Sequence, residues 1–192
     1  MTKKILIING HPRKDSLNYT MAEAYRKGAE NTGAKVKTLN IIDLNFNEFG
    51  TVFKDSEPIE DVKKAQELIS WADHTVWVYP TWWYTIPALL KAFMEQTLLS
   101  GFAFKYLKSD KVIKWDKHLK GKSARIISTM DAPPWYYKLF VRDPGFKTMK
   151  SSLGFCGINP VKRSYFGSVK VSTDEQITAW IKGVEKLGRN LK

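Results

Sequence analysis

The sequence predicts an α/β fold in which one doubly wound, five-stranded parallel sheet carries helices on both faces. Two observations predict it: apolar runs of strand length recur along the 192 residues, and segments with the helical period lie between them. Because parallel strands need right-handed crossovers, this alternation indicates helices on both sides of a single sheet. We expect the strand order 2-1-3-4-5 and a single domain over residues 1–192.

The elements follow one another in a regular order. The strand-like runs lie at residues 4–9, 36–42, 75–79, 124–129 and 161–166. Helical faces follow the first three strands and return after the fifth; they comprise Leu17, Met21, Tyr25 and Ala29, then Ile59, Val62, Ala65, Leu68 and Ile69, then Ile86, Leu89, Leu90 and Phe93, and finally Ile177, Ile181, Val184, Leu187 and Leu191. Residues 100–122 and 130–147 show neither pattern, so we expect long irregular connections there.

Composition indicates a soluble, cytoplasmic protein that binds anions. The lysine-bearing first ten residues are too short for a signal peptide and form a first strand, and no apolar stretch is long enough to cross a bilayer. The one cysteine, Cys156, lies in an apolar stretch and is interpreted as a buried hydrophobe. The formal charge of +12 attracts anions. Because the basic residues are scattered, we expect a solvated basic surface and not a nucleic-acid-binding one.

Several familiar catalytic motifs are missing from the sequence. There is no G-x-G pair, which excludes the common dinucleotide-binding fingerprint. Gly121, Lys122 and Ser123 resemble the end of an ATP-binding loop, but Asp116 stands where its first glycine is required. The chain also lacks an H-E-x-x-H motif, a cysteine cluster and a G-x-S-x-G motif, so neither a catalytic metal nor serine hydrolysis is expected.

A polar loop, HPRKDSLN, follows the first predicted strand. In a doubly wound sheet this loop brings backbone N–H groups and a helix N-terminus to a phosphate group. Ser16 and Asn18 add short hydrogen-bonding side chains, and His11 lies at the loop's start. The loop is therefore interpreted as an anion-binding site. Serine and asparagine are also ordinary helix caps, and both roles can coexist at one helix end.

Three consecutive aromatic rings follow the third predicted strand. Trp82, Trp83 and Tyr84 come after Pro80 and Thr81 and lead into a helix. One explanation is that the rings cap the hydrophobic core. Adjacent residues cannot all face one side, however, so at least one ring is expected to point into a cleft or an interface. This loop and the polar loop should meet at the point where the strand order reverses, and a phosphate site beside an aromatic platform suits a flavin.

Four motifs in order resemble those of the flavodoxin-like NAD(P)H:quinone oxidoreductase family. They are H-x4-S-x-N-Y at residues 11–19, PTWWYTIPALLKAFME at 80–95, GFAF at 101–104 and GFCGINPV at 154–161. The resemblance covers nearly the whole chain. It implies a flavin cofactor, FAD or FMN, and hydride transfer from NAD(P)H to a quinone or similar electrophile by ping-pong chemistry. It also implies a homodimer with active sites at the interface.

The same resemblance assigns individual site residues. His11, Ser16, Leu17 and Asn18 match the phosphate-contacting loop of the family, and Pro80, Thr81, Trp82, Trp83, Tyr84 and Thr129 match the residues against the flavin ring. Where many relatives continue with Thr-Thr-Gly-Gly, this chain has STMDAPP at residues 128–134. Tyr136 or Tyr137 is therefore a candidate catalytic hydroxyl donor, although an aromatic that only anchors the loop fits equally well. A flavodoxin-type electron carrier and a regulatory subunit of a membrane transport system remain alternatives.

Overall fold

The computed structural model describes residues 2–46, 58–108 and 112–190. The strands are β1 (Lys4–Asn9), β2 (Lys35–Asn40), β3 (His74–Pro80), β4 (Phe104–Leu107), β5 (Lys114–Lys117), β6 (Ser123–Thr129) and β7 (Val161–Phe166). The helices are α1 (Leu17–Glu30), α2 (Glu60–Trp71), α3 (Ala88–Thr97), α4 (Pro134–Leu139), α5 (Pro144–Cys156) and α6 (Asp174–Arg189). Short 3-10 turns occupy Ile41–Asp43 and Val169–Val171.

Five parallel strands form the main sheet in the order β2-β1-β3-β6-β7. The fourth and fifth predicted strands are β6 and β7, so the predicted fold class and strand order are confirmed. In β1, β3 and β6 nearly every residue is buried, as expected for central strands covered on both faces. The edge strand β2 alternates between exposed and half-buried residues over most of its length.

Two core layers lie on opposite faces of the sheet. Ile5 and Ile7 of β1 pack with α1 and α6, whereas Leu6 and Ile8 pack with α2, α3 and α5. This division follows from the alternation of side chains along a strand. The predicted faces of α1, α2, α3 and α6 contribute to these layers, except that Ile59 is exposed, Ile177 is half-buried outside both layers, and Leu191 lies outside the described residues.

Helices α1 and α6 approach each other through glycines. A Cβ atom at Gly28 would lie 2.0 Å from the carbonyl oxygen of Glu185, and one at Gly188 would lie 2.2 Å from that of Tyr25. Such distances leave no room for any side chain, so glycine is required at both positions. Helix α6 begins with a capping box between Thr173 and Gln176.

The two segments expected to be irregular contain regular structure. Within residues 100–122, β4 and β5 form an antiparallel hairpin. Its rings pack on Phe155, with Trp115 stacked at 4.6 Å and Phe104 edge-on at 4.9 Å between ring centroids. Within residues 130–147, Pro134 and Pro144 each open a helix. The expectation of irregular connections was therefore wrong in both places.

Candidate functional site

The loops after β1 and β3 meet at the carboxyl edge of the sheet. They line a cavity of about 240 Å³, here called the polar cavity, together with residues that follow β6. His11, Ser16, Leu17 and Asn18 line it from one side. Pro80, Thr81, Trp82 and Thr129 line it from the other. The structure thus brings Ser16 and Trp82, far apart in sequence, to one site.

A second cavity of about 330 Å³ adjoins the first and is here called the aromatic cavity. It is lined by Trp83, Tyr84, Ala132 and Tyr137 and shares Thr81, Trp82, Met130 and Asp131 with the polar cavity. The shared residues make the two cavities parts of one cleft. Every predicted cofactor-binding residue lines at least one of them. Met130, Asp131 and Val169 were missed, and their position just after strands β6 and β7 was the available signal.

Ser16 occupies the N-terminal end of α1. Its hydroxyl oxygen accepts a hydrogen bond from the backbone N–H of Tyr19 at 3.3 Å, so the capping role is confirmed. The first turn of α1 contains no acidic residue, whereas Asp15 and Asp131 line the polar cavity. Because the helix N-terminus borders the polar cavity, its remaining N–H groups and its dipole favour negative charge there.

Asn18 is buried beside Ser16, and its side chain connects the polar loop to β6. The hydroxyl of Thr129 donates to its Oδ1 at 3.0 Å. The Nδ2 of Asn18 has no hydrogen-bond partner among the described residues, although the side chain is 2% exposed. A buried amide donor without a partner is costly. A ligand oxygen in the polar cavity would satisfy it, so this site fits the phosphate end of a flavin.

His11 lies where the polar loop meets the loop that follows β3. Its Nδ1 accepts the backbone N–H of Arg13 at 3.0 Å, which leaves the hydrogen of the neutral ring on Nε2. Burial, reinforced by the charge of Arg13, holds the pKa of His11 below its usual value. The ring meets Trp82 edge-on, with centroids 5.6 Å apart. A neutral imidazole therefore supports the tryptophan at the centre of the cleft.

Residues 82–85 form a tight turn, here called the aromatic turn. Two backbone hydrogen bonds between Trp82 and Thr85, at 3.1 and 3.0 Å, close it. Trp83 and Tyr84 both have positive φ, 47° and 65°. The ring of Trp83 is 93% exposed, so it is not a cap on the core. Trp82 lines both cavities, so at least one of the three rings borders the cleft, as the sequence predicted.

The two candidate tyrosines occupy different environments. Tyr137 is buried, its ring lines the aromatic cavity, and its hydroxyl donates to the carbonyl oxygen of Tyr84 at 2.6 Å. Burial raises the pKa of this hydroxyl. Tyr136 is exposed and stacks on Phe140 at 5.5 Å, and it lines neither cavity. A catalytic role for either tyrosine stays a prediction.

A family model described as a flavodoxin-like fold matches residues 3–187. The chain belongs to this flavodoxin-like family. The match covers nearly the whole chain, so the resemblance indicated by the four motifs is confirmed at the level of the family. The order of the sheet and the position of the cleft at its carboxyl edge agree with this membership.

Two similar proteins carry oxidoreductase names, and a similar solved structure shares the fold. An uncharacterized NAD(P)H oxidoreductase of Haemophilus influenzae is 28% identical over 185 residues, covering 92% of this chain and 89% of that protein. A ribosyldihydronicotinamide dehydrogenase [quinone] of Rattus norvegicus is 22% identical and covers 96% and 92%. The crystal structure of Smu.1420 from Streptococcus mutans superposes with a TM-score of 0.83 at 30% identity, covering 97% and 99%.

Within the described residues, no group of three or more histidine, cysteine, aspartate or glutamate side chains is arranged to hold a metal ion. None of the helices in residues 2–46, 58–108 and 112–190 has both the length and the apolar character needed to cross a membrane.

Proposed function

We propose that the protein is a flavin-dependent oxidoreductase that transfers hydride from NAD(P)H, through the flavin, to quinones or similar small electrophiles by a ping-pong mechanism. The observation that carries this proposal is the joining of the polar and aromatic cavities at the switch point of the sheet. Two relatives named for nicotinamide-dependent oxidoreduction, one of them also for quinone, support the choice of reaction.

The chain's own groups have distinct tasks in this proposal. The N-terminus of α1 and the unpaired Nδ2 of Asn18 bind the cofactor's phosphate end. Thr81 and Trp82 line both the polar cavity and the adjoining aromatic cavity, and Pro80 lines the polar cavity beside them, so the flat ring belongs against these residues. The bound flavin supplies the centre that accepts and donates hydride. The protein orients donor and acceptor over it.

The aromatic cavity is where the substrate is held. Trp83, Tyr84 and Tyr137 give it broad apolar walls, and planar molecules such as nicotinamide and quinone stack on aromatic faces. Because the aromatic cavity adjoins the proposed position of the flavin ring, the two substrates occupy this cavity in turn, as a ping-pong mechanism requires. We further propose that residues 1–192 act as one cytoplasmic domain within a homodimer, without a nucleic-acid partner and without insertion into a membrane.

The test is to purify the protein, record its visible spectrum, and identify any cofactor released by heat by chromatography. We expect FAD or FMN, and oxidation of NADH or NADPH when a quinone is added. A colourless protein that takes up neither flavin would contradict the proposal, as would a flavoprotein that oxidises neither nucleotide.

The same preparation separates the alternatives. A stable one-electron-reduced flavin during reductive titration, without nicotinamide turnover, would indicate an electron carrier instead. Co-purification with a membrane transport protein would indicate a regulatory subunit.

A further inference from the structure

The aromatic turn has a backbone conformation that its residues do not favour. Trp83 and Tyr84 both lie in the left-handed region, at φ 47° and 65°. Two-residue turns with this backbone ordinarily use asparagine and glycine, because a bulky side chain is crowded there. Backbone of this kind persists only where surrounding contacts hold it. The contacts around the turn therefore decide the shape of the aromatic cavity.

The hydroxyl of Tyr137 supplies such a contact. It donates to the carbonyl oxygen of Tyr84 at 2.6 Å and accepts the backbone N–H of Gly145 at 3.0 Å. The side chain is 1% exposed, so water does not compete for these bonds. A Cβ atom at Gly145 would lie 2.8 Å from the hydroxyl, so the approach also depends on glycine at that position.

A half-buried ion pair holds the segment that carries Tyr137. Asp143, between α4 and α5, donates its backbone N–H to the carbonyl oxygen of Tyr137 at 3.2 Å. Its carboxylate lies 2.5 Å from Nη1 of Arg163 and accepts the hydroxyl hydrogen of Tyr165. Arg163 and Tyr165 belong to β7, so the connection between α4 and α5 is fastened to the edge of the sheet. Asp143 itself is 4% exposed.

We infer that Tyr137 is a positioning residue: its hydroxyl, supported by the Asp143–Arg163 pair, fixes the aromatic turn and thereby the substrate-binding wall of the cleft. The inference rests on the proposed function for its link to substrate binding. Two hydrogen bonds join this hydroxyl to backbone groups, and the side chain of Thr81 also interacts with it. These contacts form a continuous series that connects β7 through Asp143 and Tyr137 to Tyr84.

The first test measures the turn itself by hydrogen exchange and does not need flavin. In Tyr137→Phe, we expect the amide of Thr85, which closes the turn, to exchange about tenfold faster because the carbonyl oxygen of Tyr84 loses its donor. Tyr106→Phe, which removes an exposed tyrosine hydroxyl on the hairpin, is the matched control and should leave this amide unchanged. Unchanged protection in Tyr137→Phe overturns the inference.

The second test separates substrate binding from the chemical step, with NADH as donor and 1,4-benzoquinone as acceptor. We expect Tyr137→Phe to raise the KM for the quinone about five- to tenfold, with kcat and flavin content within about twofold of the parent. A fall in kcat at unchanged KM would mean that the hydroxyl acts on the reacting atoms, and it would overturn a positioning role.

A substitution of Tyr84 tests whether the change in KM caused by Tyr137→Phe comes from the backbone of the aromatic turn. Glycine tolerates the left-handed conformation, so in a Tyr84→Gly background the turn no longer depends on the hydroxyl. Adding Tyr137→Phe there should change the KM by less than about twofold. An equal effect in both backgrounds contradicts the inference. If the parent protein binds no flavin, the proposed function fails, whereas the exchange measurement still decides whether Tyr137 holds the turn.

Discussion

Asn18 shows at the level of one residue how the fold prepares a ligand site. Its Oδ1 is occupied by Thr129, and its Nδ2 remains without a partner inside the described part of the chain. Such a group lowers the stability of the empty protein and contributes to binding once an acceptor arrives. The sequence could identify Asn18 as a donor at a helix start. It could not show which atom is left for the ligand, because that depends on Thr129, 111 residues away.

We therefore predict that Asn18→Ala weakens flavin binding by about tenfold, because the variant loses one charge-assisted hydrogen bond to the phosphate end of the cofactor. Fluorescence titration of flavin-free protein with FMN and with FAD measures it. Asn31→Ala, at the exposed far end of the same helix, is the control and should leave the dissociation constant unchanged. Equal affinity of the Asn18 variant and the parent would remove Asn18 from the site.

His74 makes the stability of the protein depend on pH. Burial, with the charges of Lys3, Arg125 and Lys162, lowers its pKa from 6.5 to about 4. In the unfolded chain the imidazole takes up a proton near pH 6.5, whereas the folded protein resists this until about pH 4. The unfolded state therefore binds more protons in this window, and the free energy of unfolding falls as the pH falls through it.

From the size of that shift we expect His74 to account for a loss of about 3 kcal/mol between neutral pH and pH 4. Urea unfolding at a series of pH values measures it. His74→Asn, which retains a polar side chain but does not titrate, should show a shallower fall over the same range. Parallel curves for parent and variant would mean that His74 is protonated equally in both states.

At the level of elements, the crossing of α1 and α6 depends on backbone contact. Gly28 and Gly188 sit where any Cβ atom would overlap a carbonyl of the other helix. We predict that Gly28→Ala lowers the free energy of unfolding by about 3 kcal/mol, since backbone must move to admit the methyl group. Denaturant titration measures the change.

The matched control is Gly183→Ala in α6, where a Cβ atom would meet nothing within 4 Å. Removing a helical glycine at an open position should stabilise the protein by about 0.5 to 1 kcal/mol. The two substitutions are chemically identical and should have opposite signs. Stabilisation of the same size at both positions would mean that helix propensity, and not packing, governs this pair of helices.

The elements that the sequence predicted are those stabilised by their own pattern. The strands β1 and β3 contain four-residue apolar runs, β6 contains a shorter one interrupted by Arg125, and α1 and α3 show a clear apolar face. The hairpin of β4 and β5 has four-residue strands rich in lysine, and it depends on contact with Phe155 of α5. The prolines at 134 and 144 suggested loops but occupy first helical positions, where a missing N–H costs nothing.

At the level of the whole molecule, large apolar side chains gather beside the aromatic cavity. Leu139 and Phe140, at the end of α4, are 71% and 67% exposed, and Trp135 is also exposed. The hydrogen bond from Tyr137 to Tyr84 ties this helix to the aromatic turn, so the exposed groups flank the cleft. A surface of this kind is typical of an interface and not of a monomer's solvent-facing side.

We predict that the protein is a homodimer formed through this surface and that the double substitution Leu139→Glu and Phe140→Glu makes it monomeric. In a twofold interface each substituted side chain occurs twice, so the dissociation constant should rise at least about a hundredfold. Sedimentation velocity over a concentration series measures the association. Val171→Glu replaces an equally exposed apolar residue, 79% exposed, on the connection before α6 and should leave the dimer intact. A parent protein that sediments as a monomer at every concentration would show that this dimer does not form. A double variant that remains dimeric would show that the interface lies elsewhere on the molecule.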